Sequence, residues 1–237
     1  IKKLPQSHPA RALLSISDVA PTRTRGSFYT SALTTLRLFT SRSINAITSK
    51  SDFSLTDVGH KKQALFIILP DEKTTFYPVA SLVVSQQYEL LARMADRRGG
   101  RLERRVNFIL EEFGNFTPIS DLTNKLTVGG GRGCRFNFYL QGFEQLKEKY
   151  DEHVSNTVKS NCDTWVYLQA NDKDTLSEIS EKLGSYTCSS YRLSASHQKY
   201  YTPSSSHSLT LIERKLLMPD EVRRVKRPYK IVTSRNL

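Results

Sequence analysis

Two adjacent carboxylates follow a short apolar run in the middle of the chain. The run extends from Val106 to Leu110, and Glu111 and Glu112 come directly after it. Open α/β sheets bind ligands at the carboxyl ends of their strands. In nucleotide-hydrolysing motors an apolar strand that ends in two acids is a Walker B strand, in which the first acid holds magnesium, usually through water, and the second polarises the attacking water. The alternative is that the two acids simply begin a solvated loop.

Two further polar residues fit the same chemistry. Gln141 follows a second apolar strand, predicted over Phe136–Leu140, and its amide can hydrogen-bond both water and a γ-phosphate. Arg132 lies in the glycine-rich run Val128–Gly133, which we interpret as a flexible loop, and its guanidinium stays protonated. It is a candidate arginine finger or sensor at a subunit boundary. A structural glutamine at a strand end and an arginine in a surface loop are the alternatives.

The phosphate-binding part of such a site is missing from the sequence. The glycine run precedes a predicted strand, whereas a phosphate loop follows a strand and opens a helix. No GxxxxGK[ST] sequence occurs anywhere in the 237 residues. This chain alone is therefore predicted to hydrolyse ATP poorly.

The spacing of apolar residues predicts elements that alternate between helix and strand. One helix or two short helices are predicted over Ser27–Ile47, a strand buried on both faces at Ala64–Leu69, and a long helix over Val79–Asp96. Strand and helix then alternate three times, at Val106–Leu110 and Ile119–Val128, at Phe136–Leu140 and Phe143–Tyr150, and at Thr164–Leu168 and Asp174–Leu183. Strands separated by helix-length segments indicate a mostly parallel sheet between helices, so the fold class is α/β.

The end of the chain has a different character. Residues Ser185–Leu209 are rich in Ser, Tyr and Thr and predict a hairpin or an exposed flexible excursion. A short helix at Pro219–Val225 and a last strand at Tyr229–Val232 complete the predicted order.

The charge balance favours polyanionic partners. There are 35 Lys and Arg against 23 Asp and Glu, which gives a formal charge of +12. Nucleic acid and an anionic membrane face are both compatible with this charge. An arginine-rich stretch from Arg93 to Arg105 is a candidate phosphate-contact loop, with a solvated helix end as the alternative, and the same two interpretations apply to residues 223–227.

The remaining composition excludes several classes of protein. Cys134, Cys162 and Cys188 lie far apart without metal-ligand spacing, which suggests neither a disulfide framework nor a zinc site and fits a reducing cytoplasm. No apolar run reaches the length of a membrane span, and no signal peptide opens the chain, so the segment is expected to be soluble. Because the chain begins with Ile1, we expect it to be a piece of something longer.

Several stretches together resemble the TraG/TraD (VirD-type) group of type IV secretion coupling proteins. Their order and spacing cover nearly the whole chain, which is more specific than any single motif. These stretches are Ser31–Phe39, Thr48–Phe53, Phe108–Asn115, Leu140–Leu146, Asn161–Val166 and Met218–Val222.

The resemblance implies a RecA-like P-loop ATPase core, here without the strand and helix of the phosphate loop. It implies a hexameric motor at the cytoplasmic face of a bacterial membrane, anchored by upstream segments. Such a motor couples ATP hydrolysis to delivery of a relaxase-bound DNA strand or a protein into a type IV secretion channel in conjugation. Residues 1–50 would be the end of an inserted all-helical domain, and residues 51–237 the C-terminal part of the nucleotide-binding domain.

The resemblance also implies roles and cofactors. With ATP and Mg²⁺, Glu111 would coordinate the metal, Glu112 would activate water, Gln141 would sense the γ-phosphate, and Arg132 would act in trans on a neighbouring subunit. Two departures from the family pattern are visible: Glu111 replaces the usual Asp, and glycines replace most of the arginine-rich segment before the third strand.

Two other functions remain open from the sequence. The chain is a non-catalytic docking module that binds relaxase or DNA, single-stranded or duplex, through a basic surface, or it is a degenerate structural subunit of a ring. The absent phosphate loop favours docking for the isolated chain. The paired acids and Gln141 favour the motor, since docking does not need them.

Overall fold

The computed structural model describes residues 5, 20–70, 72, 74–196 and 204–235; the side chains at 35, 193–196 and 204–208 are not described. Among these residues no helix combines the length and apolarity needed to cross a membrane. The chain divides into two compact units, one ending at Ser54 and the other beginning at Leu55.

The described part of the first unit is helical, as the apolar spacing predicts. Helix α1 spans Thr22–Leu36, a 3₁₀ turn follows at Arg37–Thr40, and helix α2 spans Arg42–Thr48. Ile44 is the buried residue of α2, with 3% of its surface exposed.

The second unit alternates helices and strands through most of its length. In chain order these are α3 Tyr77–Asp96, β1 Val106–Leu110, α4 Leu122–Arg132, β2 Cys134–Phe138, α5 Glu144–Lys149, α6 Glu152–Asn161, β3 Thr164–Tyr167, α7 Lys173–Lys182, β4 Ser185–Ser196, β5 Ser204–Lys215, α8 Pro219–Arg223 and β6 Ile231–Ser234.

The main core is built on the parallel pair β1 and β2. Phe108 stands beside Phe136 in the register, and their rings stack with centroids 4.8 Å apart. Helix α3 contributes Leu91 and Ala95, neither of which is exposed to solvent. Stacked rings and fully buried aliphatic side chains remove a large apolar area from water, which stabilises this pair.

A second, smaller core lies under α7 and α8. Val222 of α8 is fully buried there with Tyr167 of β3 and Leu176 of α7. Strand β3 pairs with β6 in antiparallel orientation, with Trp165 opposite Thr233. Strand β3 therefore does not extend the parallel pair, and the expected parallel run of strands is correct for β1 and β2 but wrong for β3.

The predicted strand at Ala64–Leu69 is absent. These residues have no ladder partner among the described residues, and Phe66 and Ile68 are 84% and 91% exposed. A strand buried on both faces needs a neighbour on each side. The apolar run indicates a preference for burial, but the sequence pattern cannot show whether neighbouring strands are present to pair with it.

Two local features differ from the sequence-based expectations. Residues 152–161 form helix α6, whose N-cap Asp151 accepts a hydrogen bond from the Val154 amide at 2.7 Å. The glycine run is not a flexible loop, because its residues form the last turn of α4 and Gly133 ends the helix with φ 91°. Glycine adopts this left-handed conformation without a Cβ penalty, so the run is a helix end rather than a hinge.

The Ser-rich region forms a hairpin, which is one of the two structures predicted for it. Strands β4 and β5 pair antiparallel over twelve residues each, from Ser185 opposite Lys215 to Ser196 opposite Ser204. The segment 197–203 that joins them lies outside the described residues.

Thiol reactivity tests this packing. Cys134 at the start of β2 is 1% exposed, and burial raises its pKa to about 11 despite the opposing effect of Arg132. Only about a thousandth of such a thiol is ionised at pH 8, and the thiolate is the reactive form. We expect Ellman's reagent at pH 8 to label Cys188 before Cys134, with Cys134 reacting only after urea unfolding. Rapid labelling of Cys134 in the native protein would contradict the core described here.

Candidate functional site

The two acids lie at the carboxyl end of β1, where the chain turns sharply. Glu111 and Glu112 are both exposed, whereas the next residue, Phe113, is 1% exposed. The centroid of its ring lies 4.5 Å from the centroid of the Phe138 ring. Glu112 has φ 50°, a left-handed conformation that is uncommon outside glycine. Burial of Phe113 therefore holds the strained turn that presents both carboxylates to solvent.

The structure brings Gln141 to the second acid. Beyond the strand ends, the ladder continues as the Tyr139 amide donates to Leu110 O at 3.1 Å and the Phe113 amide donates to Tyr139 O at 3.0 Å. The Gln141 side chain then donates from Nε2 to Glu112 Oε2 at 3.1 Å. Two residues that are 29 positions apart in sequence thus share one hydrogen bond at the same edge of the parallel pair.

Gln145 supports this arrangement, and sequence reasoning did not single it out. Its Oε1 accepts the backbone N–H of Gln141 at 3.1 Å. Its side chain also lies directly against Gly114, where an added Cβ would stand 2.4 Å from Cδ. Gln145 thus orients the Gln141 backbone and occupies the space that only a glycine at 114 leaves. The sequence signal that could have pointed to Gln145 is its position four residues after Gln141.

Helix α7 holds the same loop from the other side. The Phe143 amide donates to Thr175 Oγ1 at 2.9 Å, and a Cβ on Gly142 would stand 2.7 Å from Asp172 Oδ2. Asp172 is also the N-cap of α7, since its Oδ1 accepts from the Thr175 amide at 2.8 Å. The contacts of this loop with Thr175 and Asp172 depend on the packing of segments that are distant in sequence, so no local pattern could have identified them; only the N-cap contact within α7 is local.

Arg132 lies at the opposite end of the parallel pair. It ends α4, two residues before β2 begins, whereas Gln141 follows the other end of β2. Its Nη1 donates to Ala92 O at 3.0 Å and pairs with Asp96 Oδ1 at 3.0 Å. Strands rise about 3.3 Å per residue, so the five-residue strand alone separates the backbone of Arg132 from the edge that carries the acids by roughly 16 Å. The structure therefore does not bring Arg132 together with Glu111, Glu112 and Gln141.

The strand-end residues fit a magnesium ion that is shared with a nucleotide. The Glu111 carboxylate has no hydrogen bond or ion pair within the described part of the chain, and Glu112 is exposed as well. Among the described residues no three potential His, Cys, Asp or Glu ligands converge into a complete protein cage. Magnesium commonly uses only one or two carboxylates and completes its shell with water and phosphate oxygens. The donor set therefore fits that mode of binding.

The family is shown by a match along the whole chain. The family model described as Type IV secretory system Conjugative DNA transfer matches residues 1–237. The chain belongs to this family of type IV coupling proteins. It is 28% identical over 191 residues to Protein VirD4 of Rhizobium rhizogenes, covering 79% of this chain and 28% of that protein. It is 25% identical over 220 residues to the conjugal transfer protein TraG of Escherichia coli, covering 89% of this chain and 34% of that protein.

Solved structures share the fold. The bacterial conjugative coupling protein TrwBdeltaN70 matches with a TM-score of 0.69 at 20% identity, covering 91% of this chain and 48% of that one. TrwB in complex with ADP and Mg²⁺ matches with a TM-score of 0.64 at 19% identity, over 91% of this chain and 47% of that one. The predicted fold class, an α/β fold of the RecA-like type, is confirmed, and this coupling protein chain spans about half of the solved relative.

The contact between Gly114 and Gln145 is directly testable. We expect Gly114→Ala to lower the free energy of unfolding by about 1 to 3 kcal/mol, because the new methyl overpacks a filled space. Adding Gln145→Ala should recover part of that loss. Urea denaturation of the single and double variants measures both effects.

Gly130→Ala is the matched control. Its added Cβ meets nothing within 4 Å, and the position is helical. We expect it to be neutral or to stabilise by up to about 1 kcal/mol. An equal loss of stability in both alanine variants would rule out a specific contact with Gln145.

Proposed function

We propose that this chain forms part of a hexameric motor ATPase that moves DNA, or a protein, into a type IV secretion channel during conjugation. The observation that favours it is the contact between Glu112 and Gln141 at the carboxyl ends of two neighbouring parallel strands. This is the edge at which α/β sheets bind ligands. The match to the coupling protein family supports the same reading.

The residues at this edge divide the work of hydrolysis. Glu112 accepts a proton from the attacking water or orients it, and the Gln141 amide contacts that water or the γ-phosphate while bonded to Glu112. Glu111 is free of other partners in the described structure and coordinates magnesium directly or through water. Because one hydrogen bond joins Glu112 to Gln141, loss of the γ-phosphate is transmitted to the water-activating carboxylate.

ATP and Mg²⁺ are the proposed ligands. TrwB, which shares the fold, has been seen with ADP and Mg²⁺ and with a non-hydrolysable ATP analogue. The bound metal supplies charge neutralisation on the phosphates. A GxxxxGK[ST] loop in the rest of the motor would grip the phosphates, because this chain has none.

The proposed partners are a relaxase bound to a DNA strand, the proteins of the secretion channel, and further copies of the motor in a ring.

The proposed location is the cytoplasmic face of the bacterial cell membrane, reached through segments outside this chain. Within this arrangement residues 1–50 are the end of an inserted helical domain and residues 51–237 belong to the motor domain. The formal charge of +12 supports a nucleic-acid partner.

The competing proposal is a docking module without catalysis. The missing GxxxxGK[ST] sequence favours it for the isolated chain. It assigns no purpose to a carboxylate and an amide that are held together by a strained turn and by Gln145. The motor proposal accounts for these contacts, which is why we prefer it.

The water-activating role of Glu112 is tested in the protein that combines this chain with a phosphate loop. We expect Glu112→Gln to reduce the rate of ATP hydrolysis by about two to four orders of magnitude, because a general base is removed from an intact site. Binding of a fluorescent ATP analogue should persist. Glu148→Gln, at an exposed position of α5, is the matched control and should leave turnover unchanged. Unchanged turnover in the Glu112 variant would refute the assigned role.

The proposed trans role of Arg132 is separable from its packing role. Arg132→Gln and Asp96→Asn both break the ion pair between α4 and α3. If the guanidinium acts on a neighbouring subunit, only Arg132→Gln lowers the hydrolysis rate, by about three orders of magnitude or more. Steady-state hydrolysis and thermal melting of both variants give the answer. Equal turnover in the two variants would show that Arg132 contributes only to packing and not to hydrolysis.

A further inference from the structure

The arginine-rich segment after α3 is an ordered turn rather than a loose helix end. Gly99 and Gly100 have φ 80° and 94°, which favour glycine, and they reverse the chain. The Gly100 amide donates to Ala95 O at 2.8 Å and so closes the end of the helix. Arg97, Arg98 and Arg101 therefore project from a turn with defined backbone bonds.

Hydrogen bonds hold the segment that follows this turn on both sides. Leu102 is 5% exposed, and its amide donates to Arg132 O at 2.9 Å. Arg104 donates from its amide to Gly59 O and from Nε to His60 O, both at 3.2 Å. Gly59 is needed for this approach, because a Cβ there would stand 2.8 Å from Leu91 Cδ2.

Between residues 58–63 and residues 103–105 lies an open groove of about 340 Å³. Its lining residues are Val58, Lys61, Lys62, Gln63, Glu103, Arg104 and Arg105. Four of the seven are cationic and one is acidic, so the lining carries a net positive charge.

Internal ion pairs neutralise only part of this charge. Lys61 pairs with Asp57 at 3.0 Å, and Arg98 pairs with Glu103 at 2.9 Å. Lys62, Arg101 and Arg105 are exposed and have no ion pair in the described part of the chain. Their charges are available to an external polyanion.

The lining of the groove favours nucleic acid over a lipid surface. No large exposed apolar side chain lies at positions 57–63 or 97–105, and the exposed Phe66 and Ile68 further along the chain are not part of the lining. Guanidinium and ammonium groups without aromatic platforms are typical of contacts to phosphates that carry no sequence information. We propose that the groove between residues 58–63 and 103–105, together with Arg101 beside it, binds the phosphate backbone of the nucleic acid that the proposed function supplies.

The position of the groove separates substrate binding from nucleotide chemistry. Arg105 directly precedes β1, whereas Glu111 directly follows it. A five-residue strand is about 16 Å long, so the groove and the proposed nucleotide edge occupy opposite ends of the same strand. Changes in the groove therefore test nucleic-acid binding without touching Glu111, Glu112 or Gln141.

The experiment measures binding of this chain to fluorescein-labelled single-stranded and duplex oligonucleotides of about 30 nucleotides by anisotropy across salt concentrations. The groove variant is Lys62→Gln/Arg101→Gln/Arg105→Gln. We expect its affinity at 0.1 M salt to fall about tenfold or more, and the slope of log K against log salt for duplex to fall by about 2 to 3. The loss should be similar for unrelated oligonucleotide sequences.

The matched control removes three charges elsewhere. Arg223→Gln/Lys226→Gln/Arg227→Gln lowers the net charge equally, and these exposed residues have no ion pair in the described part of the chain. We expect it to keep most of the affinity and slope. Circular dichroism confirms that both variants fold.

Three results would overturn the groove assignment, and they have different consequences for the proposed function. Equal loss in both variants would show that net charge alone governs binding, and loss only in the control would place the nucleic acid at residues 223–227. Either result leaves a nucleic-acid-binding motor intact. Wild-type binding to vesicles with anionic lipid but not to either oligonucleotide would overturn the groove assignment and also remove support for a DNA substrate.

Discussion

The parallel pairing of β1 with β2 is the constraint on which the site depends. The register sets Phe108 beside Phe136 and Leu110 beside Phe138, and stacked rings hold it in the core. A slip of one residue would turn every side chain of a strand to the opposite face. Because this burial fixes where both strands end, Glu112 and Gln141 arrive at the same edge and within hydrogen-bond distance.

Local strain at that edge is offset by packing just beyond it. A non-glycine residue in the left-handed region costs about 1 to 2 kcal/mol, and Glu112 adopts this conformation at φ 50°. Burial of Phe113 contributes stabilisation of similar or larger size. The side chain of Gln145 then fills the space over Gly114 and bonds the Gln141 backbone. The carboxylate and the amide are thereby positioned by neighbours that do no chemistry themselves.

The two ends of the parallel pair differ in electrostatic character. One end presents the carboxylates of Glu111 and Glu112, which suit a metal and its nucleotide, and the other presents the cationic groove near Arg105. Arg132 belongs structurally to the cationic end, where it joins α4 to α3 through Ala92 and Asp96. A core only five residues long thus separates two surfaces of opposite charge.

The sequence by itself determined the elements whose cause is local. Apolar spacing predicted α1 to α3 and the strands β1 and β2, the paired acids marked a strand end, and the Ser-rich stretch predicted a hairpin or an exposed excursion. Tertiary structure alone decided the features that need contacts between distant segments. These are the antiparallel pairing of β3 with β6, the exposure of residues 64–69, and the contacts by which Gln145 and Thr175 support the loop of Gln141. Pairing and burial are contacts between segments distant in sequence, and a one-dimensional pattern records each segment's preference but not its neighbour.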